Sequence, residues 1–274
     1  MELEQNAKEF EKLGIGVAGL SYDSPAVLKN FSERKGIHFP LLSDPDSKII
    51  KELGILNDEV PKTNAFYGIP YPGTYVLDAK GTVMAKYFED DFKQRYTAAD
   101  LLVQRYGVMP ETRRSQVEGK QLTAVATASN GIVRPGQRIA LVLDLDLKPG
   151  MHVYAPGVQG YIPIEWKIKE SGVAAPHDTV FPKAEILFLK AIDEKVPVFK
   201  GKIRLKRDIT LGPDATLKAA ADSNAEFTVE GTLRYQACDD QKCYIPQELP
   251  LKWTFTYEGF DRTRVPAELQ RKVN

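Results

Sequence analysis

The chain has two cysteines, and both lie in the stretch RYQACDDQKCYIP, as Cys238 and Cys243. Two thiols this close in sequence can form a disulfide, which either cross-links a hairpin permanently or exchanges electrons with other thiols. Two cysteines cannot make a zinc site by themselves, and His152 and His177 have no ligand spacing to them. Spacing alone leaves a structural disulfide and a redox-active pair as open alternatives.

The strand that precedes the cysteines predicts their orientation. Its apolar side chains alternate onto one side, and Cys238 falls on the other side. Continued alternation would point Cys238 away from the core, which favours an accessible, exchangeable pair. Charged neighbours have opposite effects on ionisation of the thiols, because Asp239 and Asp240 disfavour a thiolate whereas Lys242 favours one. No strongly activated nucleophile is predicted.

Composition excludes several classes of function. The 274 residues include 37 basic and 37 acidic ones, so no net charge indicates binding to nucleic acid or to an anionic membrane. No apolar run is long enough to span a bilayer. The first residues, MELEQNAKEF, are charged where a signal peptide has its apolar segment, so these residues predict no export signal.

Residues 1–106 alternate between helix and strand patterns, which predicts an α/β domain. The predicted elements are a helix ending at Gly14, a helix capped by Ser24 with Pro25 in its first turn and ending at Gly36, a helix within 45–55 with Ile49, Ile50 and Leu53 inward, a hairpin over 73–88, and a helix capped by Thr97.

Residues 107–121 are polar and unpatterned, which predicts a linker. Residues 122–258 then carry strand patterns only, and within 139–147 Ile139 and the following leucines alternate with residues that include Asp144 and Asp146. The spacing favours an all-β, two-sheet sandwich. Residues 259–274 form a C-terminal tail. The predicted fold class is therefore α/β plus all-β.

The cysteine stretch resembles the motif of the N-terminal domain of the thiol:disulfide interchange protein DsbD. The resemblance covers about residues 118–258 and includes KPGMHVYAP and VPVFKGKIRL. It implies an immunoglobulin-like sandwich in which Cys238 and Cys243, on adjacent strands, exchange electrons with periplasmic thiol proteins. It also implies a cap loop over the pair, which chain order places within Lys190 to Phe199, and a periplasmic or extracytoplasmic location.

Residues 2–106 resemble peroxiredoxins of the alkyl hydroperoxide reductase and thiol-specific antioxidant family. The resemblance rests on the segment from LGIGVAGLSYDSPAVL to SKIIKELGI and on YPGTYVLDAKG, where it makes Pro72 a candidate cis-proline of an incomplete thioredoxin-like domain. The family's reactive cysteine begins the helix that opens this chain, yet no cysteine precedes Cys238. We therefore expect little thiol peroxidase activity from the chain as printed.

The missing reactive position leads to an expectation about the gene. A thioredoxin-like sheet without its central strand would expose apolar surface, so we expect a strand and a reactive position, cysteine or selenocysteine, to be encoded before Met1. Deliberate shortening of the chain is the simpler alternative. The upstream reading frame would decide between them, and conventional stop codons there would make the first domain a non-catalytic relic.

These observations favour a thiol-dependent oxidoreductase without a cofactor. Its expected partners are thioredoxin-like or other thiol-disulfide exchange proteins, with peroxide or disulfide as substrate of the full-length form and no nucleic acid. The alternative is a non-catalytic binding or scaffold protein with a structural disulfide and a degenerate thioredoxin-like domain. A metal-dependent hydrolase has no ligand constellation to support it.

Overall fold

The computed structural model describes residues 2–89, 93–189 and 193–270. The chain divides into two compact units, one of residues 1–102 with 260–274 and the other of residues 103–259. The predicted tail thus falls almost wholly in the first unit, where Asp261 accepts one hydrogen bond from Arg34 at 2.8 Å and ion-pairs with Lys35. These contacts, with that to Lys35 the largest, hold the pKa of Asp261 well below its usual range.

Helices and short strands alternate in the first unit, as predicted. The elements up to the unit boundary are α1 (Glu2–Lys12), β1 (Gly19–Ser21), α2 (Pro25–Lys35), β2 (Leu41–Ser43), α3 (Lys48–Glu52), β3 (Gly73–Leu77), β4 (Val83–Phe88), β5 (Arg95–Tyr96) and α4 (Ala98–Tyr106), within which the boundary falls; Ala267–Leu269 is a 3-10 turn. Strands β1 and β2 pair in parallel, and β3 and β4 pair antiparallel.

The predicted caps of α2 are confirmed. The Ser24 hydroxyl accepts a hydrogen bond from the Val27 backbone N–H at 3.4 Å, and Pro25 needs no partner in the first turn. Gly36 ends the helix with a φ of 61°, a conformation that glycine adopts without steric cost. The helix therefore begins and ends where its local sequence requires.

Two predictions for the first unit are wrong. Ile50 is fully buried, but Ile49 and Leu53 are each more than 40% exposed. Ile49 lies about 100° around α3 from Ile50, and Leu53 follows the end of this five-residue helix as its C-cap, so Ile50 alone of the three is buried. The bond before Pro72 is trans, since the described residues contain no cis peptide bond. Trans is the intrinsic preference of X–Pro bonds.

Large apolar side chains are exposed in this unit. Leu42, Phe66 and Met84 are all more than half accessible. Leu42 and Met84 lie in two short strand pairs that are not joined into one sheet among the described residues, and Phe66 lies in a turn between α3 and β3.

The predicted immunoglobulin-like β-sandwich is confirmed in the second unit. The strands are β6 (Ser115–Glu118), β7 (Leu122–Ala128), β8 (Ile132–Val133), β9 (Gln137–Leu147), β10 (His152–Tyr154), β11 (Glu165–Ile168), β12 (Ala174–Val180), β13 (Glu185–Leu189), β14 (Glu194–Lys200), β15 (Lys202–Leu211), β16 (Glu226–Tyr235), β17 (Ala237–Cys238) and β18 (Gln247–Tyr257), with helix α5 (Asp214–Ala220) before β16. They form sheets with the strand orders β12-β15-β9-β7-β6, β11-β16-β18-β8 and β13-β14-β10-β17.

One core joins the three sheets. The alternating apolar positions of β9 are buried, and Asp144 and Asp146 on its other side are accessible, as predicted. That other side is only partly solvent-facing, because Ala140 and Val142 on it are buried in a cluster with Val103. The structure differs from the predicted linker, because Ser115–Glu118 within it forms β6 and pairs with β7. This edge strand has polar side chains that face solvent, so its sequence lacks an apolar signal.

Candidate active site

The chain changes sheets immediately before the first cysteine. Strand β16 pairs with β11 and β18, whereas β17 pairs with β10 of the third sheet. Alternation continues across this change, so Tyr235 and Ala237 face the main core and Cys238 faces away from it, as predicted. The inference that Cys238 is accessible is wrong, because only 1% of it is exposed.

A second apolar cluster covers Cys238 on the outer side of the third sheet. Tyr154 from β10 and Val196 and Val198 from β14 are buried with it. Side chains from the adjoining segments complete the cover; they are Val158, Tyr161, Leu187 and Leu189. Sequence alternation does not reveal this cover, because it comes from strands distant in the chain.

The connection between the cysteines is a hydrogen-bonded turn. The Asp239 carboxylate accepts backbone hydrogen bonds from Gln241 and Lys242, both at 2.8 Å, and a hydrogen bond from the Tyr244 hydroxyl. These bonds, with that from the Gln241 N–H the largest, lower the pKa of Asp239. The charged carboxylate of Asp239 therefore stabilises the turn through these hydrogen bonds.

The two cysteines are bonded and differ in exposure. The Cα atoms of Cys238 and Cys243 are 4.0 Å apart in an antiparallel bridge, as expected for cysteines on neighbouring strands. Cys243 is exposed, and nearby Ile245 is 86% exposed. An incoming thiol can therefore approach the disulfide from the side of Cys243, whereas Cys238 is shielded.

Tyr154 places a hydroxyl beside the accessible sulfur. Its oxygen lies 3.8 Å from Cys243 Sγ. Burial, and secondarily the charge of Glu194, raise the pKa of this phenol, so it stays protonated at neutral pH and can donate to a sulfur. The Tyr154 ring stacks on Tyr161 with centroids 4.3 Å apart, and the Tyr161 hydroxyl donates to Glu194 at 2.8 Å.

The segment expected to contain a cap loop lies partly outside the described residues. Residues 190–192 are not described, so the structure does not address them. Of the remainder, Val196 and Val198 contact the Cys238 cluster, and Glu194 holds Tyr161.

The Tyr161 contact predicts a pH dependence at high pH. The hydrogen bond to Glu194 is the largest cause that raises the pKa of Tyr161 from 10.0 to about 12. A raised folded-state pKa means that the contact contributes its full stability below pH 10.0 and loses it as the pH rises toward about 12.

Glu194→Gln is expected to return the pKa of Tyr161 toward 10.0, because it removes the neighbouring negative charge. Tyrosine ¹³Cζ NMR titration measures this directly. Tyr71, whose pKa is raised to about 12 by Asp58, is the internal control and should not change. An unchanged Tyr161 titration would contradict the role assigned to Glu194.

Sequence reasoning missed His152 and Tyr154 as neighbours of the cysteines. Their spacing of two residues puts both side chains on one side of β10, and the β10–β17 register sets His152 opposite Cys238. The alternation in MHVYAP indicates that both side chains point to one side of the strand, but only the strand pairing shows which residues lie on that side.

Two family models match the chain. Residues 1–86 match the AhpC/TSA family, and residues 120–252 match the model described as thiol:disulfide interchange protein DsbD, N-terminal. Both resemblances stated from the sequence are thereby confirmed. The mixed α/β chain combines a redoxin-like region with a DsbD N-terminal-like β domain.

Curated relatives match the first region. Peroxiredoxin Bcp of Escherichia coli (strain K12) is 33% identical over 95 residues, which are 33% of this chain and 56% of that protein. Peroxiredoxin Q, chloroplastic, of Populus jackii is 40% identical over 80 residues, 29% of this chain and 35% of that protein. The chain therefore spans about half or less of the length of these relatives.

Solved structures are similar at low identity. The N-terminal periplasmic domain of ScsB from Proteus mirabilis has a TM-score of 0.35 and 15% identity, covering 50% of this chain and 49% of that one. The reduced DsbD N-terminal domain of Neisseria meningitidis has a TM-score of 0.29 and 16% identity, covering 49% and 88%. Among the described residues, no helix is both long and apolar enough to cross a membrane.

Proposed function

We propose that this chain is a thiol-disulfide oxidoreductase that exchanges electrons through Cys238 and Cys243. The observation that carries the proposal is the asymmetry of the pair: exposed Cys243 is bonded to shielded Cys238. An exchange reaction needs one sulfur that a partner can reach and a second that resolves the mixed disulfide internally. The redoxin-like and DsbD-like matches support the same general chemistry.

The reaction conserves atoms and electrons. A partner thiolate attacks Cys243 Sγ, the bond to Cys238 breaks, and a mixed disulfide forms. The second thiolate of the same partner then attacks the partner's sulfur in the mixed disulfide and releases Cys243. The partner becomes a disulfide, and Cys238 and Cys243 become two thiols after gaining two protons. Every step is reversible, and the reduction potentials of the two couples set the direction.

Partners are proposed from chemistry and from similarity. Thioredoxin-like or other exchange proteins would present a thiol to Cys243, with exposed Ile245 as an apolar contact beside it. Peroxide or a disulfide is the proposed electron acceptor of the whole protein, because the matched relatives of the first region are peroxiredoxins. An extracytoplasmic location is proposed from the match to the model described as thiol:disulfide interchange protein DsbD, N-terminal.

A specific observation favours the scaffold alternative. Cys238 is buried in an apolar cluster, which is typical of a structural disulfide, and the chain has no cysteine before it. Burial of Cys238 is also compatible with exchange, because a partner thiol attacks at the exposed Cys243. The two functions therefore differ in how readily the bond is reduced.

The reduction potential of the pair tests the proposal. We expect a value between about −120 and −270 mV, the range of exchange proteins, whereas structural disulfides lie below about −300 mV. The chain is equilibrated in glutathione or dithiothreitol buffers and its thiols are alkylated. With two cysteines in total, the fully reduced chain gains two labels and the oxidised chain gains none. A value in the structural range would favour the scaffold.

A further inference from the structure

His152 is a buried imidazole that the exchange reaction described above does not use. It is 3% exposed, and its Nε2 atom has no hydrogen-bond partner within the described residues. Buried polar atoms are nearly always paired, so each exception requires an explanation. A partner that exists only in the other redox state of a neighbouring group is one such explanation.

Strand register identifies that neighbour. His152 on β10 lies directly opposite Cys238 on β17 and opposite Lys200 on β14. Residues opposite each other in an antiparallel pair project to the same side, with Cβ atoms about 4.5–5.5 Å apart. The adjacent triplet of Val153, Phe199 and Ala237 faces the main core, so His152 and Cys238 share the outer side.

The surroundings keep the imidazole neutral. Burial is the largest cause that lowers the pKa of His152, and Lys200 lowers it further, while Asp240 and Asp239 act in the opposite direction. The other neighbour on this side is Tyr154, whose ring meets the imidazole edge-on at 5.6 Å. A neutral imidazole with its proton on Nδ1 presents a basic lone pair at Nε2.

Cys238 needs a base once the pair is reduced. A thiol buried among apolar side chains ionises poorly, yet the thiolate is the species that attacks a disulfide. The charged groups closest in sequence, Asp239 and Asp240, disfavour a thiolate. The exposed Cys243 can lose its proton to water, but Cys238 cannot.

We propose that His152 Nε2 accepts the proton of the Cys238 thiol when Cys238 resolves a mixed disulfide on Cys243. This inference rests on the proposed function and assigns the proton transfer in it. Cys238 loses its proton to Nε2, its sulfur bonds to Cys243 Sγ, and the Cys243–partner bond breaks. The partner leaves as a thiolate. The imidazolium then releases its proton to solvent, which returns His152 to the unpartnered state seen beside the disulfide.

A small chromogenic disulfide, dithiobis(nitrobenzoate), separates the two steps in the reduced chain. The first equivalent of released thiolate reports attack by Cys243, and the second reports resolution by Cys238. His152→Gln is expected to leave the first phase unchanged and to slow the second at least about tenfold at pH 7, since a positioned base contributes about 10²-fold or more. The difference should disappear at strongly alkaline pH, where the thiol ionises unaided.

His177→Gln is the matched control, because His177 lies on β12 in a different sheet and contacts Thr210. It should leave both phases unchanged. A second phase that is unaffected by His152→Gln, or slowed equally at every pH, would overturn the assignment, since a packing defect has no reason to follow thiol ionisation.

Imidazole ¹⁵N NMR of the unmodified chain gives a test that does not depend on the variant's folding. Reduction should shift the Nε2 resonance of His152, as it gains the Cys238 S–H as a donor, and should leave His177 unchanged. An unchanged His152 resonance would overturn the inference. The reduction potential tests the proposed function separately. A potential in the range of structural disulfides, together with a second phase that depends on His152, would refute the proposed function and leave the role of His152 intact.

Discussion

Cys238→Ser is expected to trap a partner as a stable mixed disulfide on Cys243. The accessible sulfur still attacks, but the resolving sulfur is absent and only an external thiol can release the partner. Well-oriented intramolecular groups reach effective molarities of about 10⁵ M or more, so the lifetime of the mixed disulfide should rise at least about 10³-fold. Mass spectrometry after mixing with a small disulfide measures its amount and decay.

Cys243→Ser is the matched variant and should behave in the opposite way. Its remaining sulfur, on Cys238, is 1% exposed beneath the apolar cluster. Attack then requires local opening, which should slow the reaction at least about 100-fold relative to Cys238→Ser. Equal reactivity of the two variants would show that burial does not distinguish the sulfurs, and the proposed order of attack would be wrong.

Trp253→Ala is expected to lower the free energy of unfolding of the second unit by about 3–5 kcal/mol, the usual cost of removing a buried tryptophan. The indole of Trp253 is 3% exposed, and its ring stacks on Trp166 with centroids 5.6 Å apart. Its Nε1 donates to the Thr127 carbonyl at 2.9 Å, so the variant also loses this buried hydrogen bond.

Urea unfolding followed by far-UV circular dichroism measures the loss, and Trp166 remains as the fluorescent reporter. Lys252→Ala on the same strand is the control, because its exposed side chain should change the unfolding free energy by less than about 0.5 kcal/mol. A Trp253→Ala loss below about 1 kcal/mol would mean that the sandwich core does not unfold as one unit with this strand. The cysteine site would then lack the rigid support assumed for it.

Helix caps and the alternation of apolar residues within a segment are enough to predict several elements of this chain. Ser24 begins α2 and Gly36 ends it through their own side-chain and backbone preferences, and the alternation within 139–147 places the apolar residues of β9 in the core with Asp144 and Asp146 on its other side. The orientation of Cys238 away from the main core followed from the same alternation. Proximity of the two cysteines needed only a short connection.

The side chains that surround Cys238 and His152 depend on strand pairing between distant parts of the chain. Cys238 became inaccessible because Val196 and Val198 arrive from β14, about 40 residues earlier, by a strand pairing that no local pattern specifies. His152 faces Cys238 for the same reason, since register between β10 and β17 is a property of the assembled sheet. Residue types and local periodicity therefore located the thiol chemistry, while long-range strand pairing determined which sulfur is accessible and which base lies opposite the other.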